Sequence, residues 1–184
     1  MKKQLIICFL VVVSMCVSGC TNKEGSEAYI TNEIISYDTY EELSGYKDYK
    51  IGDGIEDVQL IKLLPIEYYI ERVFTSTSGG TYDMKVYYIV DDQEGSLWTD
   101  ETIDKKILFN ATMLFAIIEN VDEITFNISG EKELDYVFKR EYVEGLYPYE
   151  LHELLQDKEV WIDKLIDPII AGTYVMSEEV KISQ

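Results

Sequence analysis

The side chains that most often carry chemistry are thinly supplied in this 184-residue chain. It has one histidine, His152, in Tyr149-Glu150-Leu151-His152-Glu153-Leu154-Leu155, and three cysteines, Cys8, Cys16 and Cys20. A zinc site takes three or four Cys, His or acid ligands, and a nucleophile of the Ser-His or Cys-His kind needs a histidine base beside it. With one histidine against these needs, His152 reads as an exposed or half-buried helix residue. The catalytic, metal and cofactor sets are all expected to be empty. Acids are abundant, at 35, so some carboxyl pair must approach the separation used in glycoside hydrolysis. That abundance robs any one pair of meaning. Asp91-Asp92-Gln93-Glu94-Gly95 offers oxygen ligands for Ca²⁺, but lacks the alternating Asp-x-Asp-x-Asp-Gly pattern of a calcium loop and reads as a solvated connection. Gly52-Asp53-Gly54 precedes a helix, where backbone N–H groups can hold an anion. No lysine follows it, and Asp53 puts negative charge where the anion would sit, so a helix cap is the expected role. Asn110 and Asn127 open Asn-x-Ser/Thr triplets, which are not expected to be glycosylated.

Cys20 carries the clearest address. Lys2-Lys3, an apolar run from Leu5 to Val17 and the small residues Ser18-Gly19 precede it. A basic start, a short apolar stretch and a small-residue exit describe a secretory signal peptide. The run is shorter than the ~20 apolar residues of a spanning helix, and the polar Thr21-Asn22-Lys23-Glu24 follows. Val17-Ser18-Gly19-Cys20 resembles the lipobox of bacterial lipoproteins. The resemblance implies cleavage before Cys20 and diacyl or triacyl modification of it. Two or more acyl chains hold a protein stably at a membrane. The expected location is the outer face of the cytoplasmic membrane, with Cys20 as the lipidation site and the membrane as a partner through that anchor.

Removing residues 1–19 leaves 165 residues and no thiol beyond the lipidated Cys20. Without disulfides, stability must come from packing. Lys2 and Lys3 leave and no acid does, so 14 basic residues face 35 acids and the net charge becomes −21. Such a surface is repelled by nucleic acid and by anionic lipid. Only Arg72 and Arg140 are arginines, and the wealth of Ile, Lys and Glu resembles the products of AT-rich Gram-positive genomes. The expected organisation is a signal peptide at 1–19, a lipidated cysteine and tether at 20–45, one domain at 46–175 and a tail at 176–184.

Periodicity supplies the elements. Asp53 with Glu56 three residues on forms a variant of the capping box. Ile55, Val58, Ile61 and Leu64 follow at helical spacing, and Pro65 stops the helix near Leu63 or Leu64. Residues 71–76 are β-prone, Ser78-Gly79-Gly80 forms a tight turn, and Tyr82, Met84, Val86, Tyr88 and Val90 alternate along a strand. A helix capped at Asp100 or Thr102 runs to about Asn120, apolar nearly all round from Ile107 and therefore the most buried element. Ile124, Phe126 and Ile128, then Leu134, Tyr136 and Phe138, predict two more strands. Leu151, Leu154, Leu155, Val160, Trp161 and Leu165 predict one or two closing helices, ended by Pro168 and Gly172. The order α-β-β-α-β-β-α is an α+β fold: a single domain with an antiparallel sheet of about four strands covered by helices.

Tyr49-Lys50-Ile51-Gly52-Asp53, Leu63-Leu64-Pro65 and the block from Asn110 to Phe126 together resemble an uncharacterised bacterial family, domain of unknown function 4825. The resemblance covers roughly residues 46–145. It implies occurrence in Gram-positive lipoproteins and beside BlaR-type regulatory metallopeptidases, and it brings no catalytic residue. The hairpin departs from the family pattern, with Ser78-Gly79-Gly80 in place of a Pro-Tyr-Gly turn.

The 15 tyrosines, Tyr68-Tyr69, Tyr82, Tyr87-Tyr88, Tyr142, Tyr147 and Tyr149 among them, are the side-chain type most enriched at interfaces. For any one of them, lining the sheet with a wet hydroxyl is the plainer role. The function expected is a non-enzymatic binding or sensory-accessory module in the cell envelope. Its partner would be an envelope protein, a peptide or a wall fragment. The alternatives are an inhibitor or immunity-type lipoprotein that meets a basic enzyme through its acidic face and, less favoured, a carboxylate-dependent envelope hydrolase.

Overall fold

The computed structural model describes residues 39–52, 54–66, 69–90, 100–130 and 133–183. Helices α1 (Thr39–Ser44) and α2 (Gly54–Ile61) lead into the hairpin β1 (Ile70–Ser78) and β2 (Thr81–Ile89). The long α3 (Asp100–Ile117) follows, then β3 (Glu123–Ser129), β4 (Leu134–Lys139) and α4 (Arg140–Leu146). The chain closes with a 3₁₀ turn (Leu151–Leu155), α5 (Lys158–Trp161), a π-helical turn (Ile162–Ile166), α6 (Asp167–Ile170) and β5 (Lys181–Ser183).

The fold is α+β, but the sheet has five strands in the order β1-β2-β3-β4-β5 and is mixed. The pairs β1–β2, β3–β4 and β4–β5 are antiparallel, whereas β2–β3 is parallel, with Val86 opposite Phe126. The expectation of an antiparallel sheet of about four strands holds in part: three of the four pairings are antiparallel, and the parallel β2–β3 pair and the fifth strand correct the rest. Antiparallel neighbours need only a tight turn, but α3 carries the chain back along the sheet, so β3 starts at the end where β2 started. The three residues of β5 are too few to show alternation. The packed unit also passes the expected bounds. Tyr40 and Leu43 of α1 are buried, and β5 pairs with β4, so neither residues 39–44 nor 181–183 lie in a loose tether or tail.

Residues 106–115 of α3 are all buried, as the all-round apolar pattern predicted. Met84, Val86 and Tyr88, Ile124, Phe126 and Ile128, and Leu134, Tyr136 and Phe138 give the sheet one buried face. Tyr88 stacks on Phe126 at 6.2 Å, and Phe138 meets Phe126 edge-on at 6.0 Å. The turn between β1 and β2 is made by Gly79 and Gly80 at φ 64° and 93°, where glycine has no steric cost. The first predicted helix stops at Ile61, earlier than Pro65 alone requires. Buried Ile66 then takes φ 71°, a conformation unusual for a β-branched residue.

Two helix expectations are corrected at the C-terminal end. Arg140–Leu146 is an additional helix directly after β4, and Pro168 lies inside a helical run without ending it. Proline removes an N–H and clashes with the preceding turn. Here a π-helical turn precedes it, with the Asp167 N–H donating to the Ile162 carbonyl. The Lys164 carbonyl, four residues before Pro168, receives the Tyr149 hydroxyl instead. The run ends at Gly172, at φ 69°.

Candidate functional site

Cys20 and the acidic loop 91–96, with its calcium reading, lie outside the described residues, as do Asp53 and Tyr68. His152 is exposed in the 3₁₀ turn. Its neighbour Glu153 holds the Lys164 ammonium at 2.7 Å, and that hydrogen bond keeps the Glu153 carboxyl below the usual carboxylate range. Among the described residues, no three His, Cys, Asp or Glu side chains gather as a metal-holding group, and no helix is long and apolar enough to cross a membrane.

Several carboxylates serve structure. Asp57, 1% exposed, accepts the Tyr49 hydroxyl at 2.8 Å and the Thr75 hydroxyl at 3.4 Å. Asp104 accepts the Tyr136 hydroxyl and the Lys181 ammonium. Asp122 accepts the Tyr82 N–H.

The tyrosines divide in a way their count does not foretell. Tyr88 and Tyr147 are buried, and burial pushes both phenols well above their ordinary value of 10.0. Tyr147 shares a 2.8 Å hydrogen bond with Thr112 of α3. The Tyr142 hydroxyl accepts the Ser177 N–H, and half-buried Tyr149 caps the Lys164 carbonyl. These are packing residues whose hydroxyls reach specific partners, so the plainer role of a wet hydroxyl on the sheet does not describe them.

Tyr87 is different. Alternation sends it to the opposite face of β2 from Met84, Val86 and Tyr88. On that face the described residues are mostly exposed or half-buried. Tyr87 pairs across the hairpin with Arg72. The Arg72 guanidinium lies over the Tyr87 ring at 4.5 Å and over Phe74 at 5.8 Å, and the two rings meet edge-on at 5.8 Å. Phe74 is 53% exposed. Next inward, Lys85 pairs with Thr125 and Tyr87 with Asn127, whose amide donates to Asp135 at 2.6 Å. An aromatic pair joined to a guanidinium at an exposed strand edge provides apolar area, a cation and hydrogen-bond donors together. The Glu71 carboxylate lies 3.5 Å from Arg72 Nε, so the cluster also offers an acceptor beside its cation.

The segments quoted for the family resemblance touch one another. Tyr49 forms a parallel bridge with Ile118, the Glu119 N–H donates to the Tyr49 carbonyl at 2.9 Å, and the Ile51 N–H donates to Asn120 Oδ1 at 3.0 Å. Asn110 donates through Nδ2 to the Pro65 carbonyl at 2.9 Å. These segments lock α3 to the chain ahead of the hairpin, which gives them a scaffolding role. The model of a family described as a domain of unknown function, DUF4825, matches residues 43–141. No curated protein and no solved structure matches the chain.

Proposed function

The chain belongs to the DUF4825 family, and from that premise we propose that it is a lipid-anchored binding or sensory-accessory module on the outer face of the cytoplasmic membrane. The observation that carries this reading is the Arg72–Phe74–Tyr87 cluster, with Phe74 53% exposed. Exposed aromatic side chains beside arginine are what protein interfaces use as anchors. The Val17-Ser18-Gly19-Cys20 pattern supports the anchor, because only a cysteine supplies the sulfur for a thioether lipid.

Two measurements test the parts separately. Cys20→Ser is expected to abolish membrane retention, and a fatty-acid analogue that still labels this variant refutes the anchor. A photocrosslinking residue at position 74 in intact cells is expected to capture a recurring envelope component. Capture of none, in cells where the chain is retained at the membrane, refutes the interface.

A further inference from the structure

A second surface lies where α1 ends and residues 45–48 turn the chain toward Tyr49. The Gly45, Tyr46, Lys47 and Tyr49 N–H groups donate to the carbonyls of Glu42, Leu43, Ser44 and Tyr46, at 3.0–3.2 Å. Asp48 takes φ 63°, a left-handed conformation that aspartate tolerates better than most residues. Gly45 has no spare room, since a Cβ there would stand 3.2 Å from the Glu42 carbonyl oxygen. The result is an open cleft of about 340 Å³ lined by Gly45, Tyr46, Lys47, Tyr49, Glu56 and Gln59. That volume is at the small end of ligand pockets, about 300–1,000 Å³.

We propose that this cleft binds a neutral, hydroxyl-rich saccharide of the acetamido-sugar class. Three features carry the inference. First, the Tyr46 and Tyr49 rings stand edge to face, 6.0 Å apart at 83°, so a sugar ring can lie flat on one and butt against the other. Second, the Tyr49 ring is held in place from behind. Its hydroxyl donates to Asp57, which is 1% exposed, and its backbone is bridged to Ile118, so the wall is formed before a ligand arrives. Third, the polar lining is one ammonium, one carboxylate and one carboxamide. Glu56 and Gln59 are three residues apart on α2 and share a face. All three groups bond hydroxyls and amides, while Lys47 and Glu56 offset each other, so a charged ligand gains no net attraction. The net charge of −19 further disfavours an anion, and a long apolar ligand would leave these polar groups unpaired. The inference uses the proposed function only for location, since an outward-facing module meets wall glycans.

The test titrates the full chain, in detergent micelles, with tri-N-acetylchitotriose, followed by calorimetry and by amide NMR shifts. The expected result is saturable binding with a dissociation constant of about 1 mM or tighter, with shifts at Tyr46, Lys47, Tyr49, Glu56 and Gln59. Tyr46→Ala should weaken it by about tenfold, the loss of one stacking ring. Gln59→Ala, at an exposed helix position, should weaken it severalfold without touching the fold, and it decides the matter if Tyr46→Ala does not fold. Phe74→Ala should leave it unchanged. No saturation up to about 10 mM, parental affinity in Gln59→Ala, or binding of a muropeptide stem in preference to the sugar overturns the proposal. None of these outcomes touches the crosslinking result at position 74.

Discussion

Arg140 makes the sharpest mechanical prediction, because it closes the open end of the central helix. The last carbonyls of a helix have no intrahelical partner. Arg140 Nη1 donates to the Phe115 carbonyl at 3.0 Å, Nη2 to that of Ile118 at 2.5 Å and Nε to that of Val121 at 2.9 Å. The guanidinium also stands 5.1 Å from the Phe115 ring centre, over a residue only 2% exposed. Hydrogen bonds to a charged group contribute about 1.5–3 kcal/mol each, so three bound the effect at about 4.5–9 kcal/mol. The side chain is 25% exposed, and water can replace part of what is lost. Arg140→Met is therefore expected to cost about 3–4 kcal/mol, a large share of the ~5–15 kcal/mol typical of a domain. Arg140→Lys should recover less than half, since one ammonium cannot span three carbonyls. Glu144→Gln should cost within about 0.5 kcal/mol, because the Arg140–Glu144 contact is a long surface pair. Urea unfolding read by far-UV circular dichroism, with linear extrapolation, measures all three. A loss below about 1 kcal/mol in Arg140→Met, or a lysine variant equal to the parent, refutes the capping argument.

Phe115→Ala should cost about 3–5 kcal/mol by leaving a cavity in the core, whereas exposed His152→Ala should cost within about 0.5 kcal/mol; the same urea melts compare them, and a reversed order defeats both assignments. The Tyr88, Tyr147 and Tyr149 phenols are each raised above 10.0, first by burial. Their contribution is full below about pH 10 and falls above it, as the unfolded chain ionises and the folded one does not. Absorbance at 295 nm should show these phenols ionising only as the dichroism signal collapses, and full ionisation with the fold intact contradicts their burial. Tyr149→Phe should cost about 1–3 kcal/mol by orphaning the Lys164 carbonyl. The cost should shrink in a Pro168→Ala background, where a new N–H can take that carbonyl; a double-mutant cycle showing no coupling rejects the account of the π-helical turn.

The elements were legible where one face of a strand, or nearly the whole circumference of a helix, met the core. Met84, Val86 and Tyr88 alternate because one side of β2 is dry, and the run from Ile107 to Phe115 reads as buried because α3 is enclosed nearly all round. Gly79-Gly80 was legible as a turn because only glycine enters that φ region freely. The missed elements were short or were decided from a distance. β5 is three residues paired to β4, and α4 follows its strand with no intervening breaker. Pro168 reads locally as a stop, yet the run continues because a tyrosine 19 positions earlier in the chain serves the orphaned carbonyl.

The candidate sites divide the same way. The proposed anchor at Cys20 rests on local sequence alone, a cysteine after small residues. Alternation already separated Tyr88 from Tyr87, but the partners of the tyrosines were not readable, because the Arg72 guanidinium over Tyr87 and the Lys164 carbonyl at Tyr149 come from elsewhere in the fold. Arg72 and Arg140 are likewise one residue type with two tasks. Composition could mark them as the only two arginines, but only the packing places one on aromatic rings at the sheet surface and the other on the end of a helix. Tyr46 and Tyr49 become a cleft because Asp48 reverses the chain and buried Asp57 grips one hydroxyl. Sequence by itself thus determined the acidic composition and the core periodicities, both of which depend on residue type and short spacing. Tertiary structure alone decided strand direction and which partner each tyrosine and arginine meets, because those depend on contacts between residues far apart in the chain.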